Sequence, residues 1–272
     1  MDNFIDPGLY IVATPIGNLE DITLRALRIL KNVDLIAAED TRNTSVLLDK
    51  YEINTKLISY HKFSDDTKLA LLLEKLQEKK SIALVSDAGT PLISDPGEIL
   101  VKKAIELGIK IIPIPGPSAI TTLLSSIYRE SEDFKFIGFL PKNKNQIIEI
   151  VEKNKEENLV FYESPKRLTS TLETIAQIYP DKKIAIGREL TKKFEEIKID
   201  NIVNILEFYK SNTLKGEICA LLYKTKTETG INLDEKIRKL KDLNLKDKEI
   251  ALILARLFDF NKNEIYKKCL KY

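Results

Sequence analysis

The chain has few of the residues that build metal centres and disulfide frameworks. Its 272 residues include one histidine, two cysteines and no tryptophan. With His61 alone, zinc sites of the usual composition are largely excluded, and so is Ser-His-Asp chemistry elsewhere in the chain. Cys219 lies in an apolar run and Cys269 near the end of the sequence, so the pair indicates neither a disulfide framework nor a metal-ligand set.

Long hydrophobic runs are also missing. No apolar stretch approaches the ~20 residues that a membrane-spanning helix needs. The opening Met1-Asp2-Asn3-Phe4 lacks the basic and apolar regions of a secretory signal. Hydrophobic residues make up 43% and charged residues 31% of the chain, which is typical of a globular protein rather than a disordered one. We therefore expect a cytoplasmic protein.

Positive charge is concentrated in the last part of the sequence. The whole chain has a formal net charge of +2, but residues 224–272 carry 13 Lys and Arg against 8 Asp and Glu. Such a tail is either the solvated surface of helices or a place for phosphate contacts.

From Leu9 onwards, short apolar runs alternate with stretches of helical period. The runs predict strands at 9–14, 34–39, 56–60, 81–87 and 110–115. Helices are predicted between them near 21–32, 43–50, 66–79 and 98–107, and another is predicted from 116 to 127. This alternation predicts an α/β domain over residues 1–128, with a parallel sheet and helical crossovers.

A polar segment at 128–134 is expected to link this domain to a second α/β domain over 129–228. Strands are predicted near 135–140, 158–163, 182–188, 193–199 and 216–223, and helices near 144–156, 166–178 and 201–210. No long crossover helix separates the third and fourth strands, which predicts a mixed sheet. Three helical stretches follow in a basic module over 229–272, which is either helix-turn-helix-like or a helical cap.

The segment SDAGTPLISDPG at 86–97 is the strongest indication of function. It concentrates small, polar and backbone-bending residues directly after a predicted buried strand. Open α/β sheets bind ligands at the carboxyl ends of their strands, so the segment predicts a site for a polar small molecule. The alternative is an ordinary turn rich in turn-forming residues. Neither the usual dinucleotide fingerprint nor a phosphate-binding P-loop is present in the sequence.

Seven ordered segments together resemble one known family. They are TPIGN at 14–18, AEDTR at 38–42, SDAGTPLISDPG at 86–97, PGPSA at 115–119, GFLP at 138–141, YESPKR at 162–167 and RELTKKFEE at 188–196. Their order and spacing resemble the ribosomal RNA small subunit methyltransferase I family. This branch of the tetrapyrrole methylase superfamily methylates a cytidine 2′-hydroxyl in the decoding centre of 16S rRNA. The resemblance runs from about residue 9 to 223, and the tail resembles the helical C-terminal module of many members.

The resemblance implies the two-domain fold of tetrapyrrole methylases (class III methyltransferases), with S-adenosylmethionine held between the two domains and usually a homodimer. It also implies contacts with rRNA, expected within the small ribosomal subunit. The residues expected at the cofactor are Pro15, Asp87, Gly89, Thr90, Ile93, Ser118, Ala119, Tyr162, Leu190 and Gly216.

Methyl transfer to a ribose hydroxyl needs a place for the proton to go. The catalytic candidates are Glu39 and His61, as proton acceptors, and Arg42, which is expected to place a phosphate or polarise the hydroxyl. Glu39 and Arg42 are favoured by their position at the end of a predicted strand, and His61 fits the pattern of the resembled family. The alternative is that Glu39 and Arg42 belong to an ion-paired start of a helix and that the lone histidine is structural. Members often have a second histidine two residues after the one matching His61, where this chain has Phe63, and often a histidine at Lys166.

Four basic residues, Lys142, Lys144, Lys166 and Arg167, are expected to contact RNA phosphates with salt-dependent affinity. Two other functions remain open at this point. A methylase of the same fold acting on a small molecule such as a tetrapyrrole would need an apolar, aromatic-lined groove. A non-catalytic RNA-binding assembly factor would keep the fold without binding the cofactor.

Overall fold

A computed structural model describes residues 5–61, 66–211, 214–225, 233–258 and 260–271 of the chain. The residues Lys62, Phe63 and Ser64, where the sequence departs from the resembled family, lie outside these ranges. Two compact units are formed, Met1–Lys224 and Thr225–Tyr272. The division of the first unit at residues 128 and 129, and the start of the tail module at residue 229, stay predictions.

The first half of unit one is a five-stranded parallel sheet. Its strands are β1 (Gly8–Val12), β2 (Leu35–Ala38), β3 (Leu57–Ser59), β4 (Ser81–Val85) and β5 (Ile111–Ile114), in the order β3-β2-β4-β1-β5. All five agree with the predicted positions, and every pairing between them is parallel. β4 is central and β1 lies between β4 and β5, so the residues that follow β4 and β1 lie side by side at the sheet's carboxyl edge.

Helices cover both faces of this sheet. They are α1 (Leu24–Asn32), α2 (Thr41–Lys50), α3 (Asp66–Gln77) and α4 (Glu98–Glu106), and a fifth helix, α5 (Ala119–Ser125), follows β5 and packs elsewhere. Residues alternate between the two faces, so that Tyr10 and Val12 pack in one core while Leu9 and Ile11 pack in the other. The first four helices supply apolar residues to these cores, which fixes the sheet between two helical layers.

Helix starts follow capping side chains, and this accounts for small differences from the prediction. α2 begins at Thr41, two residues before the predicted start, because the Asp40 carboxylate accepts the Arg42 N–H at 2.9 Å. α1 begins at Leu24 because the Thr23 hydroxyl accepts the Ala26 N–H. The preceding residues Leu19–Asp21 form a separate 3-10 turn.

The second half of unit one is the predicted mixed sheet. Its strands are β6 (Lys135–Phe139), β7 (Leu159–Glu163), β8 (Lys183–Arg188), β9 (Glu196–Asn201) and β10 (Ile218–Leu222), in the order β6-β7-β10-β8-β9. β6 and β7 are parallel, and the other pairs are antiparallel. One face carries α6 (Lys144–Lys153), α7 (Pro165–Ala176) and α8 (Ile202–Lys210).

β9 begins three residues after its predicted start. The preceding loop turns sharply, with φ of +51° at Glu189 and +66° at Thr191, and the Thr191 N–H donates to the Glu195 carboxylate at 2.6 Å. Because of this hydrogen bond and the two positive φ angles, residues 193–195 do not pair with β8, and the strand begins at Glu196.

The other face of the second sheet packs against α5 from the first half. Leu123 and Leu124 of α5 share a core with Val160, Ala185 and Leu221 of the sheet. The two halves of unit one therefore join through apolar burial as well as through the chain connection.

Unit two contains α9 (Leu233–Asp242), α10 (Asp247–Phe258) and α11 (Lys262–Cys269), as the helical periodicity predicted. Its core includes Ile237, Ile250, Leu254 and Ile265, and Cys269 is buried among them. Within the described ranges, no helix combines the length and apolar character needed to cross a membrane.

Candidate functional site

A cleft of about 400 Å³ lies between the two halves of unit one. The first half contributes residues that follow the carboxyl ends of β2, β4 and β5. The second half contributes residues from the ends of β6 and β7 and from the start of β10. Small side chains such as Ala88, Gly89 and Ala119 leave the space open on one wall.

The segment after β4 is held to the end of β1 by its backbone. Thr14 and Gly89 exchange two main-chain hydrogen bonds, of 2.8 and 3.0 Å, and the Thr14 hydroxyl donates to the Ser86 carbonyl at 3.2 Å. Gly89 has φ of +80°, a conformation that glycine adopts without steric cost. Thr90 donates its hydroxyl to the carbonyl of Pro117 at 3.3 Å, which ties the segment to the loop before α5.

The same segment continues through unusual backbone conformations. Leu92 and Ser94 both have φ of +73°, which is rare for residues with a side chain. Ser94 lies beside Gly138 of β6, where a β-carbon on the glycine would come within 3.3 Å of the Ser94 hydroxyl. The segment thus reaches from the first half to the second, and Ser94, one of its two strained residues, lines the cleft.

The second half supplies an aromatic wall and a tight turn. Tyr162 packs edge-to-face with Phe136 and Phe139, at ring centroid distances of 5.0 and 5.5 Å. Gly216 has φ of +92° and lies against the Glu189 side chain.

An ion-pair network holds Glu189 in place. Its carboxylate accepts from Lys192 Nζ at 2.8 Å and from the Glu217 N–H at 3.0 Å. Lys192 also pairs with the Glu217 carboxylate at 3.0 Å. The turn at Gly216 is therefore fixed by charged hydrogen bonds.

Three carboxyl groups of the first half line the cleft. Asp87 accepts the Asp40 N–H at 3.0 Å and the Asn43 amide at 3.1 Å. Burial raises the pKa of Glu39, and the nearby charge of Asp87 raises it further. Burial also raises the pKa of Asp95, to about 6, with Glu39 adding to the effect. Among the described residues these groups do not form a cluster suited to a metal ion.

Nine of the ten residues predicted at the cofactor line this cleft. They are Asp87, Gly89, Thr90, Ile93, Ser118, Ala119, Tyr162, Leu190 and Gly216. Pro15 is the exception, and its neighbour Ile16 takes the place on the wall. The structure thus brings residues from five separate segments together, while their role toward a cofactor stays a prediction.

The three catalytic candidates occupy different positions. Glu39 lines the cleft. Arg42 pairs with Asp40 at 2.6 Å and leaves 87% of its side chain exposed. That pair holds the pKa of Asp40 down at about 2. His61 is half-buried and is not among the residues that line the cleft. Burial raises the pKa of Glu39, and the charge of His61 acts against that rise. Their catalytic roles stay predictions.

Of the RNA candidates, Lys142, Lys144 and Lys166 are exposed, whereas Arg167 is engaged inside the protein. The Arg167 guanidinium donates to the carbonyls of Leu140 and Pro141, at 2.7 and 2.9 Å, and to the buried Glu163 carboxylate at 3.0 Å. It therefore has a structural task that the sequence did not indicate, and its contact with RNA stays a prediction.

Asp95 was not among the candidate site residues from the sequence, although it lies in the segment that predicted the site. Asp95 is half-buried and lies near Tyr162 of the second half, whose pKa is raised by burial and further by the charge of Asp95. A clue in the sequence is its place at the end of the polar segment, directly before Pro96 and Gly97.

Solved structures show where this architecture occurs elsewhere. A cobalt precorrin-4 methyltransferase of cobalamin biosynthesis aligns with a TM-score of 0.61 and 15% identity, over 79% of this chain and 94% of that one. A diphthine synthase aligns with a TM-score of 0.64 and 14% identity, over 80% and 90%. At these identities the likeness shows the fold.

Sequence comparison is more specific. The profile of the Tetrapyrrole (Corrin/Porphyrin) Methylases matches residues 8–205. A Ribosomal RNA small subunit methyltransferase I from Pasteurella multocida is 42% identical over 97% of both chains. The protein of that name from Halalkalibacterium halodurans is 48% identical over 79% of this chain and 75% of its own length. The chain therefore belongs to the ribosomal RNA small subunit methyltransferase I family of tetrapyrrole methylases.

Proposed function

We propose that this chain transfers a methyl group from S-adenosylmethionine to the 2′-hydroxyl of a cytidine in the decoding centre of 16S rRNA. Membership in a family named for rRNA methylation supports the class of reaction. The observation that carries the proposal is the cleft, in which nine predicted cofactor residues from both halves, Asp87 among them, lie together with the carboxyl groups of Glu39 and Asp95.

The residues present suit this methyl donor. When bound, S-adenosylmethionine supplies an electrophilic methyl group on a positively charged sulfur. Carboxylates favour cations, and Glu39, Asp87 and Asp95 place three of them on one wall. A cavity of about 400 Å³ lies within the range of small-molecule sites.

The two halves would contact different parts of the methyl donor. Gly89 and Ala119 allow close approach of the backbone, and Tyr162 offers an aromatic face that suits a purine. Asp87 is fixed by the Asp40 N–H and Asn43, so its carboxylate is already oriented before any ligand binds. We propose the exposed Lys142, Lys144 and Lys166 as contacts for RNA phosphates.

We also propose that the substrate is the small ribosomal subunit, that the protein works in the cytoplasm, and that it functions as a homodimer. Light scattering of the purified protein tests the last point, and a monomeric mass at micromolar concentration would contradict it.

The decisive assay uses purified protein, labelled S-adenosylmethionine and small subunits from cells that lack this enzyme. The label is mapped by nuclease digestion and mass spectrometry. We expect it on one cytidine ribose, and we expect Thr90→Arg and Asp87→Arg to abolish it because both put a large cation in the cleft. Ser170→Arg, on an exposed turn of α7, is the matched control and should retain activity.

Other outcomes identify the alternatives. Labelled cofactor bound without label on RNA would indicate a methylase of a small molecule. Binding to small subunits without any cofactor binding, and unaffected by Thr90→Arg, would indicate an assembly factor.

A further inference from the structure

The proposed reaction needs an acceptor for the hydroxyl proton. Of the five carboxyl groups that line the cleft, Glu163 accepts from Arg167 and Thr171, and Glu217 pairs with Lys192. The three from the first half, Glu39, Asp87 and Asp95, differ in their surroundings. Both oxygens of Asp87 are engaged, one by the Asp40 N–H and the other by Asn43. Asp87 is thus held in a fixed position by protein donors on both oxygens.

Glu39 is surrounded by groups that act on its pKa in opposite directions. Its Oε2 atom accepts the Asp87 N–H at 3.4 Å, and the charge of His61 favours its ionised form. Burial and the charges of Asp87 and Asp40 act in the opposite direction. Glu39 lies near Asp95. Burial raises the pKa of Asp95, and the charge of Glu39 raises it further.

Asp95 is half-buried and faces the cleft. It lines the cleft on the segment that spans the two halves, between Ser94, which lies beside Gly138, and Pro96. The groups facing it are Glu39, Asp87, the hydroxyl of Ser86 and, from β7, Tyr162. The positive φ of Ser94 directs the backbone at this point, so the carboxyl group is presented by a constrained loop.

We propose that the Asp95 carboxylate accepts the proton of the ribose 2′-hydroxyl during methyl transfer. This inference rests on the proposed function. The new O–CH3 bond forms as the S–CH3 bond breaks, and that bond's electron pair stays on sulfur. The proton moves from the 2′-oxygen to Asp95, which later releases it to water, so the products are the methylated ribose, a neutral thioether and a proton.

The proton affinity of Asp95 suits this task. With a pKa of about 6, the group is ionised at neutral pH yet binds a proton more readily than an exposed aspartate. A general base is most effective when its pKa lies near the working pH.

The first test is independent of activity. Carboxyl carbon NMR of the ligand-free protein should show Asp95 titrating near pH 6, and Glu39→Gln should lower that midpoint because a negative neighbour is removed. A midpoint near that of an exposed aspartate in the wild type, unmoved by Glu39→Gln, would overturn the proposal.

The second test measures single-turnover methylation of small subunits with saturating S-adenosylmethionine. Asp95→Asn should slow methyl transfer by roughly 10² to 10⁴-fold, while binding of S-adenosylmethionine measured by calorimetry should change much less. The wild-type rate should rise with pH to a plateau above about 6, and that dependence should vanish in Asp95→Asn. Asp49→Asn, on the exposed side of α2, is the matched control and should behave as wild type.

Asp95→Glu keeps a carboxylate at this position, so it distinguishes loss of the base from a folding defect caused by the substitution. Partial activity with a pH-dependent limb supports the proposal. Wild-type rate and pH profile in Asp95→Asn would overturn it and leave the proposed function standing. If the wild type itself labels no RNA, the proposed function fails and this inference with it.

Discussion

The backbones of Thr14 and Gly89 are joined by two hydrogen bonds, of 2.8 and 3.0 Å, across loops 75 residues apart in sequence. This short antiparallel bridge lies at the carboxyl edge of the first sheet, just beyond the parallel strands. It fixes the floor of the cleft from main-chain atoms, so side chains at 90 and 118 remain available to face a ligand.

Gly216→Ala should destabilise the protein more than Gly108→Ala. Both glycines have positive φ, which costs alanine about 1–2 kcal/mol. A β-carbon at 216 would also overlap the Glu189 side chain, whereas one at 108 meets nothing within 4 Å. Displacing Glu189 from Lys192 and the Glu217 N–H should add about 2 kcal/mol.

Urea denaturation of the two glycine variants measures this difference, because the matched backbone cost cancels. Equal free energies of unfolding for the two variants would show that the Glu189 contacts are not rigid.

Arg167→Ala should be strongly destabilising, and Lys166→Ala nearly neutral. The Glu163 side chain is fully buried and accepts from Arg167 and Thr171, at 3.0 and 2.7 Å. Removing the guanidinium leaves a buried charge unpaired, which costs about 3–5 kcal/mol. Lys166 is exposed, so its truncation should stay within about 0.5 kcal/mol. Thermal unfolding compares them, and similar midpoints would contradict the structural task of Arg167.

Asp95→Asn should stabilise the protein at pH 8 and not at pH 4. Because the folded pKa of Asp95 is raised to about 6, the folded state binds more protons than the unfolded state between pH 4 and 6. Stability therefore falls as pH rises through that window and stays lower above it. After allowance for solvent screening we expect a gain of about 1 kcal/mol at pH 8.

Denaturant titrations of wild type and Asp95→Asn at the two pH values check this sign. A loss of stability at pH 8 would mean that the ionised carboxylate is favourably held in the folded protein.

Replacing Lys142, Lys144 and Lys166 by alanine should weaken binding to small subunits and reduce its salt dependence. Each lost phosphate contact lowers the slope of log K against log salt by about 0.7–0.9. Lys31→Ala is the control, because the end of α1 lies at the amino edge of the sheet, away from the cleft. Filter binding across a salt series gives the slopes, and an unchanged slope in the triple variant would contradict the assignment.

The positions of the helices and strands, and the segment that forms the floor of the cleft, could be predicted from the sequence. Strands buried on both faces leave near-continuous apolar runs, as at 35–38 and 81–85, and helices show apolar residues at helical spacing, although the Asp40 cap placed the start of α2 two residues before the predicted one. The polar segment at 86–97 was recognisable because small residues directly follow a buried strand. These signals are local, so they can be read without knowledge of strand order.

Features that depend on contacts between residues distant in sequence could not be predicted, because they exist only in the folded protein. The strand order β3-β2-β4-β1-β5 arises from pairings between segments up to about 100 residues apart, for which the sequence carries no local pattern. Arg167 is engaged by carbonyls 26 and 27 residues away. Asp95 acquires its raised proton affinity because packing removes water from it and brings Glu39 near, and neither effect exists in the unfolded chain.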